Sequence, residues 1–506
     1  MSRRRSSARR TTGSVRQLPW TPVRNPYPPM EILTPDQLTA VHDTSMRILE
    51  EIGVEFMGED ALALLKQAGA EVNEATGLVR FDRNLVLDLV AKAPSHVTLT
   101  PRNREHAIQL GGNHINFGLV AGPPNVHDRV RGRRSGNFED YCTLLKLAQS
   151  LNIIHLIGNQ PTAPMEMPAE TRHLDCYRAN VTFTDRVYHL SAIGVDRTLD
   201  GIDIAAISRG MTREQIVDDP CVLTVISVNS PRRFDAAMSD GLMTMARWGQ
   251  CVVVTPFTLM GAMTPVTLPA ALAQQNAEAL AGIALAQLVR PGCPVVYGAF
   301  TSNVDMRSGA PAFGTPENAK AQIAAGQLAR RYNLPYRASN ANASNAVDAQ
   351  AAYESEMAIW GGVMGHANLL YHGAGWLEGG LTASFEKVVL DAELLQMMAE
   401  TLKPVEVNED TLALEAIREV GPGGHFFGAT HTMERYETAF YSPMLSDWRN
   451  YESWLEAGGE TAEVRATGIW QQLLAAYEQP PLDPAVAEEL DGFVAKRKEA
   501  LNREAA

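Results

Sequence analysis

The sequence lacks most of the features that identify a chemistry at sight. Its five cysteines (Cys142, Cys176, Cys221, Cys251 and Cys293) are scattered through 506 residues and form no CxxC pair. That spacing excludes a disulfide scaffold and a zinc ribbon. Three of them open apolar, strand-like runs, where a thiol is ordinarily buried and inert. No apolar run approaches the roughly 18 residues of a membrane span, and the first residues lack the apolar stretch of a secretory signal. There is no HxH or HExxH pair, and no GxGxxG turn follows a strand-like run. A zincin centre and a dinucleotide fold both lack their signatures. A reducing cytoplasm is the expected setting.

Negative charge dominates, but unevenly. The net charge is −14, yet the first 25 residues hold seven Arg and no acid, so removing those seven charges leaves −21 for the rest. A body that acidic is not expected to bind nucleic acid. Residues 1–28 read as a disordered, basic, solubilising tail. Contact with nucleic acid or a membrane, and a transit peptide, are the alternatives for it.

What the chain does have is a regular alternation. Eight apolar, β-branched runs begin at His114, Asn152, Arg186, Cys221, Cys251, Pro294, Leu334 and Ala367. Helix-like segments such as "NFEDYCTLLKLAQSL" and "NAEALAGIALAQLVR" separate them. Strand–helix alternation at this period predicts parallel βαβ units, and eight of them predict an α/β fold of the (β/α)8 TIM-barrel type. In "GTPENAKAQIAAGQLARRY", Thr315 is a cap and Pro316 suits the first helical position. Asp348 is placed to cap the next helix. A mixed extension is expected over residues 29–112, the barrel over 113–402 and a helical extension over 403–506.

In such barrels the chemistry sits at the C-terminal ends of the strands. Those ends are rich in amides, hydroxyls and aromatic rings: Asn159 and Gln160, Asn229 and Ser230, Phe257, Phe300, Tyr371, His372 and Trp376. No paired carboxylates, Schiff-base lysine or metal-ligand pattern appears among them, so no tightly bound metal is expected. A neutral, aromatic mouth suits a cation held by ring faces. Tyr371 and His372 are neighbours, so in a regular strand only one faces inward. If that one is His372, Tyr371 packs against helices. In "GPGGHFFGATHT", His425 and His431 lie six residues apart. This segment reads as a loop that covers the mouth or docks a partner, or as a tight loop with solvated histidines.

Three linked segments, "SNANASNAVDAQAAYE", "YHGAGWLEGGLTASFEKVVLDAE" and "GPGGHFFGATHT", together with the Arg-rich start, resemble the trimethylamine methyltransferase family. Its members are corrinoid-dependent enzymes on a (β/α)8 barrel. Founding members carry pyrrolysine in a motif like Ser-Lys-pyrrolysine-Pro-Asp-x-Gln. The matching stretch here is Ser344, Asn345, Ala346, Val347, Asp348, Ala349 and Gln350, which puts alanine at the pyrrolysine position. The resemblance therefore implies the branch without pyrrolysine, similar to glycine betaine methyltransferases, which pass a methyl group to the Co(I) corrinoid of a small partner protein. It also implies a methylated amine as substrate; a homo-oligomer is expected as well. Phe257, Phe300 and Trp376 become cage candidates, and His372 and Asn340 candidate contacts for a carboxylate or for orienting the substrate. His372 and Glu378 are the candidate catalytic pair, with Glu378 acting at longer range. The small residues at 339–350 are expected to keep the mouth open. The alternatives are a tertiary methylamine substrate and a non-catalytic betaine-binding sensor.

Overall fold

The structure is a computed structural model that describes residues 15–504. Its centre is a parallel sheet whose strands match the eight apolar runs. These are β1 (His114–Leu119), β2 (Leu156–Ile157), β3 (Val187–Tyr188), β4 (Leu223–Val228), β5 (Cys251–Met260), β6 (Val295–Gly298), β7 (Tyr336–Ser339) and β8 (Leu369–Ala374). Each is followed by a helix: α1 (Phe138–Ser150), α2 (Arg172–Phe183), α3 (Val195–Ser208), α4 (Ala236–Arg247), α5 (Leu268–Val289), α6 (Pro316–Arg331), α7 (Ala349–Met364) and α8 (Phe385–Thr401). Hydrogen-bonded neighbours run β3-β2-β1-β8-β7-β6-β5-β4. The two outer strands also meet, through a parallel bridge between His189 and Leu223 and a 2.9 Å bond from Leu190 N–H to the Leu223 carbonyl. The architecture is mixed α/β around parallel strands, and those strands are apolar because both faces are covered.

Local chemistry sets the helix starts. The Thr315 hydroxyl accepts from Asn318 N–H with Pro316 at the first helical position, and Asp348 accepts from Gln350 and Ala351 N–H. The five thiols are free, and four are buried. Among the described residues no helix is long and apolar enough to cross a membrane.

The extensions cover the sheet's outer helices. The helix Pro35–Arg47 starts with a capping box between Thr34 and Gln37 and packs on α5, where Asn276 donates to Ser45 Oγ at 2.9 Å. Because it is covered in this way, α5 is buried along nearly its whole length. At the other end of the chain, α9 (Ala462–Ala475) lies on α8. Helix α10 (Pro484–Glu504) reaches α2 and α3, where Lys498 pairs with Asp175 and Arg497 with Asp200, each at 2.5 Å. Of the expected disordered tail, residues 1–14 lie outside the described residues, and the rest departs from that expectation. Val23–Arg24 pairs antiparallel with β1, and Gln17 donates to the Ser150 carbonyl at 2.8 Å. The backbone there has strand partners, which explains why it does not behave as a solvated tail.

Candidate active site

A cavity of about 660 Å³ opens at the C-terminal ends of the strands. Its walls come from β4, β5, β7 and β8 and from the segments that follow the other four strands. Three loop features shape it. First, the short strands Trp376–Leu377 and Thr382–Ser384 pair with each other, and the second of these pairs with Asn125–Asp128. That small sheet fixes Trp376 in the cavity wall, and Trp376 Nε1 donates to the Asn342 carbonyl at 3.2 Å. Second, the buried Lys387–Asp391 pair anchors the turn before Trp376: Asp391 accepts from Gly375 N–H and from Ser355 Oγ, each at 2.8 Å.

The third feature is a break in β8. His372 has φ +55° and the pairing with β1 shifts register between Leu370 and Ala374. A non-glycine residue in the left-handed region is strained, and such strain gathers at functional sites. Its consequence here is that the inward–outward alternation fails, so Tyr371 and His372 both line the cavity, with ring centres 4.5 Å apart. Only one of them was expected to face inward.

The expected aromatic residues come together. Phe257 and Phe300 are 5.0 Å apart, Phe300 and Trp376 6.1 Å, and His372 and Trp376 4.3 Å, and all four line the cavity. Phe313 backs them, 5.3 Å from Phe300. Asn340, Glu378 and Ala346 are placed elsewhere. Asn340 is fully buried and donates to the Gly373 carbonyl at 2.9 Å, so it ties the end of β7 to β8. Glu378 pairs with Arg133 at 2.9 Å, outside the cavity lining. Ala346 is exposed on the loop before α7 and is likewise not part of the lining.

The small polar tract therefore does not hold the mouth open. It folds down onto α7, where Glu354 accepts from Ala343 and Ser344 N–H, both at 2.8 Å, and Asn342 donates to Ser355 at 3.1 Å. A loop buried this tightly needs side chains that are small and that satisfy the backbone. His425 and His431 sit in a largely exposed segment of short helices away from the cavity lining.

Two further lining groups carry most of the electrostatics, and the sequence reading passed over both. Arg337 is inward-facing on β7, only 1% exposed, and makes no ion pair among the described residues. Its Nη1 donates to the Ala299 carbonyl at 3.1 Å, and its guanidinium lies 5.2 Å from the Phe300 ring centre and 5.1 Å from that of Tyr371. Burial lowers its pKa to about 10, which leaves it charged at neutral pH. His189 is the second. Val225 N–H can only donate, so His189 Nε2 accepts it at 3.0 Å and Nδ1 carries the proton. That proton goes to the Tyr371 hydroxyl, which also accepts Asn159 N–H at 3.1 Å. Both lone pairs of Tyr371 are then used, and its own proton is left to donate to a ligand oxygen.

The two imidazoles of the cavity, His189 and His372, supply no charge. Burial pushes His155 and His189 down to about 3 and His372 well below its ordinary value, with Arg337 adding to the shift at His189 and His372. Buried Arg337 Nε, His372 Nδ1 and Thr255 Oγ1 have no hydrogen-bond partner among the described residues, a concentration that points to a polar ligand. The sign for stability follows from these shifts. A buried base with a lowered pKa binds fewer protons folded than unfolded, so its contribution is complete above about pH 6.5 and is lost as pH falls toward about 3. The guanidinium unfolding midpoint is expected to drop between pH 7.5 and pH 5, before carboxylates titrate. An unchanged midpoint contradicts the neutral, buried imidazoles.

With this geometry in view, the similarity to known proteins is informative. A family described as trimethylamine methyltransferase (MTTB) matches residues 1–502. The glycine betaine methyltransferase of Desulfitobacterium hafniense (strain Y51) is 37% identical, over 94% of this chain and 99% of that protein. Trimethylamine methyltransferases of Desulfitobacterium hafniense (strain DSM 10664 / DCB-2) and Methanosarcina mazei are each 28% identical, over 91% and 93% of this chain and 92% and 96% of theirs. Matched from end to end by one family and by full-length relatives, this chain belongs to the trimethylamine methyltransferase family.

Proposed function

We propose that this protein demethylates a quaternary amine that also carries a carboxylate, glycine betaine or a close analogue, and delivers the methyl group to the Co(I) corrinoid of a small partner protein. We propose also that its parallel strands close as a (β/α)8 barrel. The His189–Leu223 bridge between the outermost strands supports that closure, as does a cavity to which all eight strand ends contribute.

The observation that carries the substrate reading is the lone guanidinium of Arg337 in an aromatic cavity. A buried cation without a partner is costly, and it repels a trimethylammonium group that brings no anion of its own. A zwitterion answers both terms. Its carboxylate meets Arg337 and the Tyr371 hydroxyl, while its methylated nitrogen faces the rings of Phe257, Phe300 and Trp376. The glycine betaine methyltransferase at 37% identity supports the same choice.

The corrinoid, when bound, supplies the nucleophile that takes the methyl group. The residues present fit such a visitor: the lining includes Ala121, Gly122, Ser191 and Ala192, which are small and uncharged. The chain's own part is positioning and water exclusion. Breaking the C–N bond of a quaternary ammonium sends the electron pair to nitrogen and releases a neutral tertiary amine. No side chain has to deliver a proton, which agrees with neutral His189 and His372 and with a lining whose only acid among the described residues, Asp235, is occupied in capping α4. Free trimethylamine would have to expel an amide anion, and its protonated form, which could leave as neutral dimethylamine, brings a positive charge to Arg337 with no carboxylate to offset it.

Purified protein supplied with chemically reduced cob(I)alamin, or with its native corrinoid protein, tests the reading. Dimethylglycine is expected to form from glycine betaine in step with loss of the Co(I) absorption, and trimethylamine is expected to be inert. Tight binding of betaine without transfer to either acceptor would leave only the binding function. Within the cage, Trp376→Leu is expected to raise KM for the quaternary amine by roughly 10- to 30-fold, the worth of one desolvated cation–π contact. Steady-state KM and kcat measure it, and an unchanged KM removes Trp376 from the cage.

A further inference from the structure

Among the described residues, thirteen of the 29 exposed large apolar side chains fall within residues 405–455, and they are strongly exposed: Phe427 is 83% exposed, Phe440 81% and Val405 82%. The helices there are Glu409–Leu412, Leu414–Val420 and Thr430–Arg435, too short to hold their shape by themselves. Among the described residues, every hydrogen bond made by 405–440 stays inside the segment, such as the fork between Arg435 and Asp410 at 2.7 and 2.8 Å. Contact with the body resumes where Met444 and Leu445 N–H reach Glu393 at 2.8 and 3.2 Å. The segment is an apolar arm with no body of its own to cover.

A second unpartnered surface lies on α7. Tyr353, Met357 and Trp360 are 58%, 40% and 37% exposed. Their spacing of four and three residues aligns them in one stripe on the outer face, where an ordinary surface helix carries charge. Arm and stripe are both exposed in the same chain, so neither covers the other within it.

We propose that the arm of one chain, residues 405–440, lies across the Tyr353–Met357–Trp360 stripe of a second copy, and that the second copy's arm does the same in return. A second copy is the occupant because one chain carries both halves of the contact, and because a surface this apolar needs a partner present whenever the chain is folded. The size fits. Phe427, Tyr436, Phe440, Tyr353 and Trp360, at about 150–250 Å² per aromatic side chain, are on the scale of the ~800 Å² that each partner buries in a stable interface. The exchange is reciprocal, as a two-fold assembly requires.

The test is sedimentation velocity on the full chain, on a Phe427→Asp/Phe440→Asp variant and on a Met357→Asp/Trp360→Asp variant, with folding checked by circular dichroism. The unsubstituted chain is expected as a dimer or a multiple of one, and each variant as a monomer. An equimolar mixture of the two variants is expected to recover dimers, because one arm–stripe contact is intact in the mixed pair. A monomeric parent chain, an assembly that ignores either set of charges, or a mixture that stays monomeric overturns the proposal. If an Asp variant misfolds, the Phe427→Cys/Met357→Cys chain carries the test: an interchain disulfide on mild oxidation supports it, and oxidised protein without one contradicts it.

Discussion

Replacing Arg337 with Met is expected to abolish most activity on glycine betaine while leaving the protein as stable as before, or more so. The two halves of that result have different causes. The guanidinium is 1% exposed, donates to the Ala299 carbonyl beside two aromatic rings, and has no ion-pair partner among the described residues. Taking out a buried charge of this kind and filling its place with an apolar chain is often neutral or stabilising. In the proposed complex the same guanidinium faces a desolvated carboxylate, and removing one partner of such a pair costs about 2–5 kcal/mol. Activity, read as kcat/KM, should therefore fall roughly 30-fold or more, with the thermal midpoint unchanged or raised. Arg337→Lys restores only part, because an ammonium lacks the two-pronged fork that a carboxylate accepts. An unaltered kcat/KM removes Arg337 from substrate binding, and a collapse of the midpoint makes it a structural residue.

Asp391→Ala is expected to do the opposite, costing stability first. Lys387 and Asp391 are both fully buried, one turn apart on α8, and share the Ser355 hydroxyl. Burial holds the Lys387 pKa down and Asp391 holds it up. Without the carboxylate, the buried ammonium loses its ion-pair partner and keeps only the Ser355 hydroxyl at hydrogen-bond distance, a change worth about 3–5 kcal/mol. The loss also frees Gly375 N–H, the anchor immediately before Trp376, so whatever folded protein remains should show a raised KM. Chemical denaturation followed by kinetics below the new midpoint separates the two effects. A variant with an unchanged midpoint shows that the pair is not what holds this corner. The double replacement Lys387→Met/Asp391→Leu should recover much of the lost stability and little of the KM.

The strand count, the caps at Thr315 and Asp348 and the aromatic group Phe257, Phe300 and Trp376 were legible in the sequence. Each depends on residues close in the chain: apolar period, hydroxyl before a helix, ring at the end of a strand. The placements that the sequence did not indicate depend on paths that sequence spacing does not carry. Asn340, Glu378 and Ala346 belong to loops whose course is fixed by distant groups, Glu354 on α7 and Arg133 on the opposite hairpin. The inward turn of both Tyr371 and His372 follows from a left-handed residue that is not glycine, which no propensity announces. Arg337 had a signal that was available: a full charge in the middle of "LPYRASN", a strand otherwise buried on both faces. Weighting that one misplaced charge over the tidy polar ends would have found the buried guanidinium of the cavity.

The claim that joins these observations is that the cavity recognises a carboxylate and a methylated ammonium together. Calorimetric titration of the full chain with glycine betaine, choline and tetramethylammonium tests it most directly, since the three share the cationic head and only the first carries the anion. The account predicts that glycine betaine binds with a Kd roughly 100-fold or more below those of the other two, and that the Arg337→Met variant levels the three. Equal affinity for choline and glycine betaine in the unaltered protein would contradict it.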